Sequence, residues 1–108
     1  AKIAADHNTN FVMVPSSHLY FDMSQMQGEL SDNWLKKLLN LEKVYSFETP
    51  ESAYNMGMQA CLWTENVQTP SMAELRTFPR VFAMAELAWS HSKKKDFGAL
   101  VSKVESLY

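Results

Sequence analysis

The chain has 108 residues, of which 46% are hydrophobic and 20% charged, with a formal net charge of -2 at neutral pH. That composition lies far from the polar, highly charged make-up of disordered chains, and it argues against the clustered basic surface that nucleic acid requires. No stretch approaches the roughly 20 apolar residues needed to cross a bilayer, and a single cysteine, Cys61, excludes an intrachain disulfide.

The chain starts at Ala1 with neither methionine nor a signal-peptide pattern, as expected of a removed start or a piece of something longer. Residues 1–8 read as a helix tail or the approach to a strand, and Asn8-Thr9-Asn10 is turn material. Phe11-Val12-Met13-Val14 is a continuous apolar run stopped by Pro15, the pattern of a strand covered on both faces. Ser16 to Asp22 then reads as a polar loop ending in an aromatic-x-carboxylate, Tyr20-x-Asp22. Residues 23–30 lack a period and read as loop. Ser31 or Asp32 can cap a helix through Asn40, with Trp34, Leu35, Leu38 and Leu39 on one stripe. Leu41 to Phe47 fits a helical turn or an extended connector, ended by Pro50.

Met58 to Trp63 is the second apolar run, preceded by Gly57 and followed by polar Thr64-Glu65-Asn66. It too reads as a doubly covered strand, with Cys61 as a small core residue. Ser71 followed three residues later by Glu74 is a capping box that opens a helix. Pro79 forces a kink or restart. Beyond it, Val81, Phe82, Ala85, Ala88 and Trp89 supply a buried stripe, and Ala83, Ala85 and Ala88 permit close approach to a sheet. Lys93-Lys94-Lys95 is a solvated linker to a last helix over about 94–107, where Phe97, Leu100, Val101, Val104 and Leu107 recur at helical spacing.

The order is strand, helix, strand, helix, helix, which implies an α/β fold with parallel strands and right-handed crossovers. Two strands would leave both sheet edges unpaired, so the chain reads as part of a larger sheet. Side chains two apart in an extended backbone share a face. Tyr20 and Asp22 therefore project together after the first strand, and Trp63 and Glu65 after the second. The carboxyl ends of parallel strands are where ligands sit. An aromatic plate beside a carboxylate suits a sugar: the plate packs on the C–H face of the ring and the carboxylate accepts from hydroxyls. The alternative for a single such pair is that Trp63 is core and Glu65 caps or solvates a loop. His7, His18 and His91 show no metal spacing with one another or with Cys61, though His18 lies in the pocket loop.

Four blocks now carry a resemblance. Pro15-Ser16-Ser17-His18-Leu19-Tyr20-Phe21-Asp22, Leu41-Glu42-Lys43-Val44-Tyr45-Ser46-Phe47, Gln59-Ala60-Cys61-Leu62-Trp63-Thr64-Glu65, and Phe78-Pro79-Arg80 with Ala85-Glu86 and Trp89 stand in this order over about 75 residues. Together they resemble the end of the catalytic domain of glycoside hydrolase family 20, the β-N-acetylhexosaminidases built on a (β/α)8 barrel. The resemblance implies that the chain is a C-terminal fragment of that domain, its last two βα units (strands about 11–14 and 58–63) with C-terminal helices. It implies substrate-assisted catalysis without metal or cofactor, in which the 2-acetamido oxygen of the sugar attacks its own anomeric carbon. Tyr20 would hydrogen-bond that oxygen as the catalytic residue of this chain. Asp22 would bind a sugar hydroxyl, most naturally the exocyclic one, Trp63 would wall the pocket, and Glu65 would accept from hydroxyls on the far side. Arg80, Glu86 and Trp89 would be structural.

The family's adjacent Asp-Glu pair is absent from this chain, as is its sugar-binding arginine near the first strand. The implied partner is a carbohydrate with a terminal N-acetylhexosamine, with the remainder of the barrel needed and no nucleic acid or membrane. The implied location is periplasmic, secreted or lysosomal. A non-catalytic sugar-binding or interaction domain of the same fold is the competing reading.

Overall fold

The computed structural model describes residues 1–29, 37–90 and 94–108. The described elements are α1 (Lys2–Asp6), β1 (Phe11–Met13), α2 (Ser16–Leu19), α3 (Leu41–Tyr45), β2 (Asn55–Met58), α4 (Pro70–Thr77), α5 (Arg80–Trp89) and α6 (Phe97–Glu105). Most of the helix expected from Ser31 lies outside the described residues, as does His91; residues 37–40 are not helical.

β1 and β2 pair in parallel, as the alternating order of elements requires. Phe11 stands opposite Asn55 and Met13 opposite Met58, so β2 carries one extra residue between the two pairs. The extra residue falls beside Gly57, whose φ of 128° is a conformation that side-chain-bearing residues avoid. Pairing then continues past β2, with Gln59 N–H donating to the Met13 carbonyl at 2.9 Å. It resumes as a parallel bridge between Tyr20 and Cys61. There Cys61 N–H donates to Leu19 O at 2.8 Å and Phe21 N–H to Cys61 O at 2.7 Å. The second strand thus begins earlier than its apolar run, at Asn55, and its carboxyl end is held by a bridge. The excursion between β1 and that bridge is the single turn α2, where a loop was expected from the polar composition.

The core forms on one side of this ladder. Leu19 of α2 and Phe21 and Met23 just beyond it meet Leu39, then Val44 and Tyr45 of α3, Phe47 after it, Ala83 and Leu87 of α5, and Leu100 and Val104 of α6. The other side is open: Val12 is 49% and Met56 65% exposed. Coverage on both faces is therefore incomplete among the described residues: Val12 and Met56 border a cavity of about 500 Å³ that Thr77 of α4 and Val81 and Met84 of α5 also line. Cys61 is likewise partly exposed instead of core.

Local chemistry sets the helix ends. α4 starts one residue before Ser71, and its cap is Thr69, whose hydroxyl accepts from Met72 N–H at 3.2 Å, while Pro70 occupies the first turn. Pro79 separates α4 from α5, as expected. α5 buries Arg80, Ala83 and Leu87, whereas Ala85 and Ala88 are exposed and Trp89 is 94% exposed. Of the expected stripe, Val81 and Phe82 pack against the core, whereas Ala85, Ala88 and Trp89 do not. Asp96 caps α6 through Ala99 N–H at 2.9 Å, and Leu107 lies beyond its end, exposed. Of the lysine run, Lys95 is held against α3, donating to Phe47 O at 2.6 Å and pairing with Glu48 at 3.0 Å. None of the described helices is long and apolar enough to cross a membrane.

Candidate functional site

Two backbone facts place the site. The bridge between Tyr20 and Cys61 aligns the ends of the two strand segments. Just beyond it the chain turns at Phe21-Asp22, closed by Met23 N–H donating to Tyr20 O at 3.2 Å, and at Glu65-Asn66, closed by Val67 N–H donating to Thr64 O at 3.1 Å, which leaves Tyr20, Asp22, Trp63 and Glu65 at the same end of the ladder. These four side chains line one cavity of about 320 Å³. A second space of about 330 Å³ shares Asp22, Trp63 and Glu65 and adds Asn66. The Tyr20 and Trp63 rings stand 5.9 Å apart at 58°, forming two walls of a corner. Trp63 is half exposed, so its face is available to a ligand and not consumed by the core. Tyr20, Asp22, Trp63 and Glu65 thus line one concavity, and Asn66, inside a turn-like tripeptide, adjoins them without a sequence signal of its own.

Asp22 has an unusual position. Its Oδ1 is buried and makes no hydrogen bond among the described residues. Buried polar atoms are ordinarily satisfied, so this oxygen is an exception to that rule, on a residue that lines the cavity. Its backbone, in contrast, is heavily tied. Arg76 Nη1 donates to Asp22 O at 3.0 Å and to Ser24 Oγ at 3.3 Å. Arg80 is completely buried. It donates through Nη1 to Met23 O at 2.7 Å and Leu39 O at 2.9 Å, through Nη2 to Phe21 O at 2.5 Å and to Arg76 O, and through Nε to Arg76 O at 3.0 Å. Burial, and then neighbouring Arg76, push the Arg80 guanidinium down to about 10, which leaves it protonated at neutral pH. The expectation that Arg80 is structural agrees with this burial. The partnership with Arg76 was not legible, because the two arginines stand on different helices, α4 and α5, on either side of the break at Phe78-Pro79.

His18 does not line the cavity. Its ring packs on Phe47 at 5.4 Å between centroids, and Nδ1 lies 2.8 Å from Ser17 Oγ. A larger cavity of about 620 Å³ opens at the start of β2, lined by residues including Tyr45, Glu51, Asn55 and Lys95. It lies at the amino end of the strand, and its Tyr45 hydroxyl already accepts from Asp96 N–H at 2.9 Å. The smaller cavity at the carboxyl ends is the one that combines the two aromatic rings with the two carboxylates.

The catalytic-domain model of glycosyl hydrolase family 20 matches residues 1–92. The chain belongs to this family. A beta-hexosaminidase of Porphyromonas gingivalis is 32% identical over 111 residues, covering 95% of this chain and 14% of that protein. Among solved structures, the family 20 exo beta-N-acetylglucosaminidase from Vibrio harveyi in complex with N-acetylglucosamine superposes with a TM-score of 0.83 at 28% identity, over 95% of this chain and 18% of that one. The beta-N-acetylhexosaminidase from Bacteroides fragilis gives 0.79 at 27% identity, over 97% and 22%. The chain thus spans between 14% and 22% of the length of these family 20 relatives. Its parallel βα arrangement is part of the family's catalytic barrel fold.

Proposed function

We propose that this chain supplies the last two βα units of a family 20 (β/α)8 barrel and, with them, one side of a pocket for a terminal N-acetylglucosamine or N-acetylgalactosamine. The observation that carries the reading is the convergence of Tyr20, Asp22, Trp63 and Glu65 on one cavity. In the complete enzyme the reaction is exo-hydrolysis of the terminal sugar. The 2-acetamido oxygen attacks the anomeric carbon, the glycosidic C–O bond breaks, and an acid protonates the departing oxygen. Water then opens the oxazolinium intermediate and returns a proton to the base. The acid and its neighbouring aspartate come from outside these residues, which contain no Asp-Glu dipeptide.

Within that scheme, the Tyr20 hydroxyl donates to the acetamido oxygen and holds it in line for attack. The Asp22 carboxylate accepts from the exocyclic hydroxyl. Trp63 packs on the apolar face of the acetamido group and ring, and Glu65 accepts from hydroxyls opposite. Hydrogen bonds to a charged partner contribute about 1.5–3 kcal/mol, so each carboxylate is worth roughly 10- to 100-fold in affinity.

The test is made on a protein joining this chain to the remainder of the barrel, with a chromogenic N-acetyl-β-glucosaminide. Tyr20→Phe is expected to lower kcat/KM by about 10- to 100-fold, and Trp63→Ala to lower it further than Cys61→Ala. Equal kinetics for all three variants and the parent would remove the pocket assignment. Saturable binding of N-acetylglucosamine without any turnover would favour a sugar-binding domain instead.

A further inference from the structure

Asp22 Oδ1 makes no hydrogen bond among the described residues, while the backbone of residues 21–23, which places the Asp22 Cα and with it the carboxylate, is tied on both sides. The carbonyls of Phe21, Asp22 and Met23, three in succession, accept from Arg80, Arg76 and Arg80 respectively. Phe21 itself is buried, with the Arg80 guanidinium over its ring at 4.9 Å. Arg80 uses all five of its N–H donors: one on Nε, two on Nη1 and two on Nη2. Burying a whole guanidinium is costly, and apolar residues commonly fill such places with equal or better stability. A buried arginine that grips both carbonyls flanking a pocket carboxylate therefore calls for a reason beyond packing.

We propose that Arg76 and Arg80 are positioning residues for substrate recognition: a paired-guanidinium cradle, presented by α4 and α5, that fixes the Asp22 carboxylate at the sugar. The inference rests on the proposal that Asp22 accepts from the exocyclic hydroxyl, and adds which residues determine that recognition. Neither arginine touches the sugar. Their planar forks hold several carbonyls at fixed angles, which a lysine, with three donors on one atom, cannot reproduce. Lysine does keep the charge and most of the volume, so it separates geometry from electrostatics.

The experiment compares two substrates, the 4-nitrophenyl N-acetyl-β-glucosaminide and its 6-deoxy analogue, in the protein that joins this chain to the rest of the barrel. In the parent, loss of the hydroxyl is expected to lower kcat/KM by about tenfold or more. Asp22→Ala should abolish that preference, and if the preference survives, the assignment of Asp22 fails before the arginines are considered. Given a working Asp22, Arg80→Lys is expected to reduce kcat/KM for the hydroxylated substrate about tenfold while barely changing the analogue, collapsing the preference as Asp22→Ala does. Arg76→Lys, which breaks fewer contacts, is expected to act in the same direction, and it decides the matter if Arg80→Lys fails to fold. A variant that folds and slows both substrates equally, or leaves the preference intact, overturns the proposal, because damage to the fold alone carries no information about one hydroxyl.

Discussion

His18 shows how little a polar residue's place in the sequence says about its place in the site. It stands two residues before Tyr20, yet its ring turns inward onto Phe47 and away from the cavity. Burial first, and then Lys43 and Lys95, lower its pKa below the ordinary 6.5. The unfolded chain therefore binds a proton at a higher pH than the folded one, so stability is full above about pH 6.5 and declines as pH falls through the lowered value. The urea midpoint of the assembled protein should fall between about pH 7.5 and 5.5, and His18→Asn should flatten that part of the fall; an unchanged slope would show that the ring titrates freely. Tyr20, Asp22, Trp63 and Glu65 could be read from the chain because each pair follows an apolar strand run, although Asp22 and Glu65 themselves lie in turns instead of the extended backbone expected. Arg76 and Arg80 could not, because arginine ordinarily signals surface and their acceptors lie more than 50 positions away in the cases of Phe21, Asp22 and Met23.

Helix starts are the elements where local rules competed. Ser71 and Glu74 fit the capping box in the sequence, yet Thr69 holds the cap, because Pro70 is well suited to the first helical position and draws the start forward. Thr69→Ala should therefore cost about 1 kcal/mol of stability, and Ser71→Ala only a few tenths. Equal losses in thermal or urea denaturation would return the cap to Ser71. The strands illustrate a different limit. The apolar run 58–63 marks the end of the second strand segment, but β2 begins at polar Asn55, since pairing to β1 is made by backbone groups that hydropathy does not register. The helices α5 and α6 were visible from their periodicity, whereas which face of α5 turns inward depends on the restart at Pro79.

At the scale of the whole molecule, the two-stranded ladder has two unpaired edges among the described residues, with Val12 and Met56 exposed. A barrel of this kind typically needs about 250 residues and draws its site from several strand ends. The 108-residue chain by itself is expected to show no hydrolysis of the chromogenic glucosaminide, and to self-associate or aggregate. Sedimentation and a turnover assay on the purified chain check both, and robust turnover by the chain alone would demand an acid among residues where none has been assigned. Membership of a larger sheet is an expectation legible in the sequence, because two parallel strands leave both edges unpaired, and the match to only 14% to 22% of the length of family 20 relatives supports it.

The extra residue beside Gly57 makes the second strand unequal in its tolerance of length change. Pairing advances two positions on β1 while β2 advances three. Deleting Gly57 would bring Met58 to Met13 by regular pairing and leave the parity of everything downstream untouched. Deleting Ala60 would instead move Thr64 and Asn66 into the places of Trp63 and Glu65, emptying the cavity of both its plate and its carboxylate. One strand thus holds a position where the chain can shorten with its recognition surface preserved, three residues from another where the same loss inverts it.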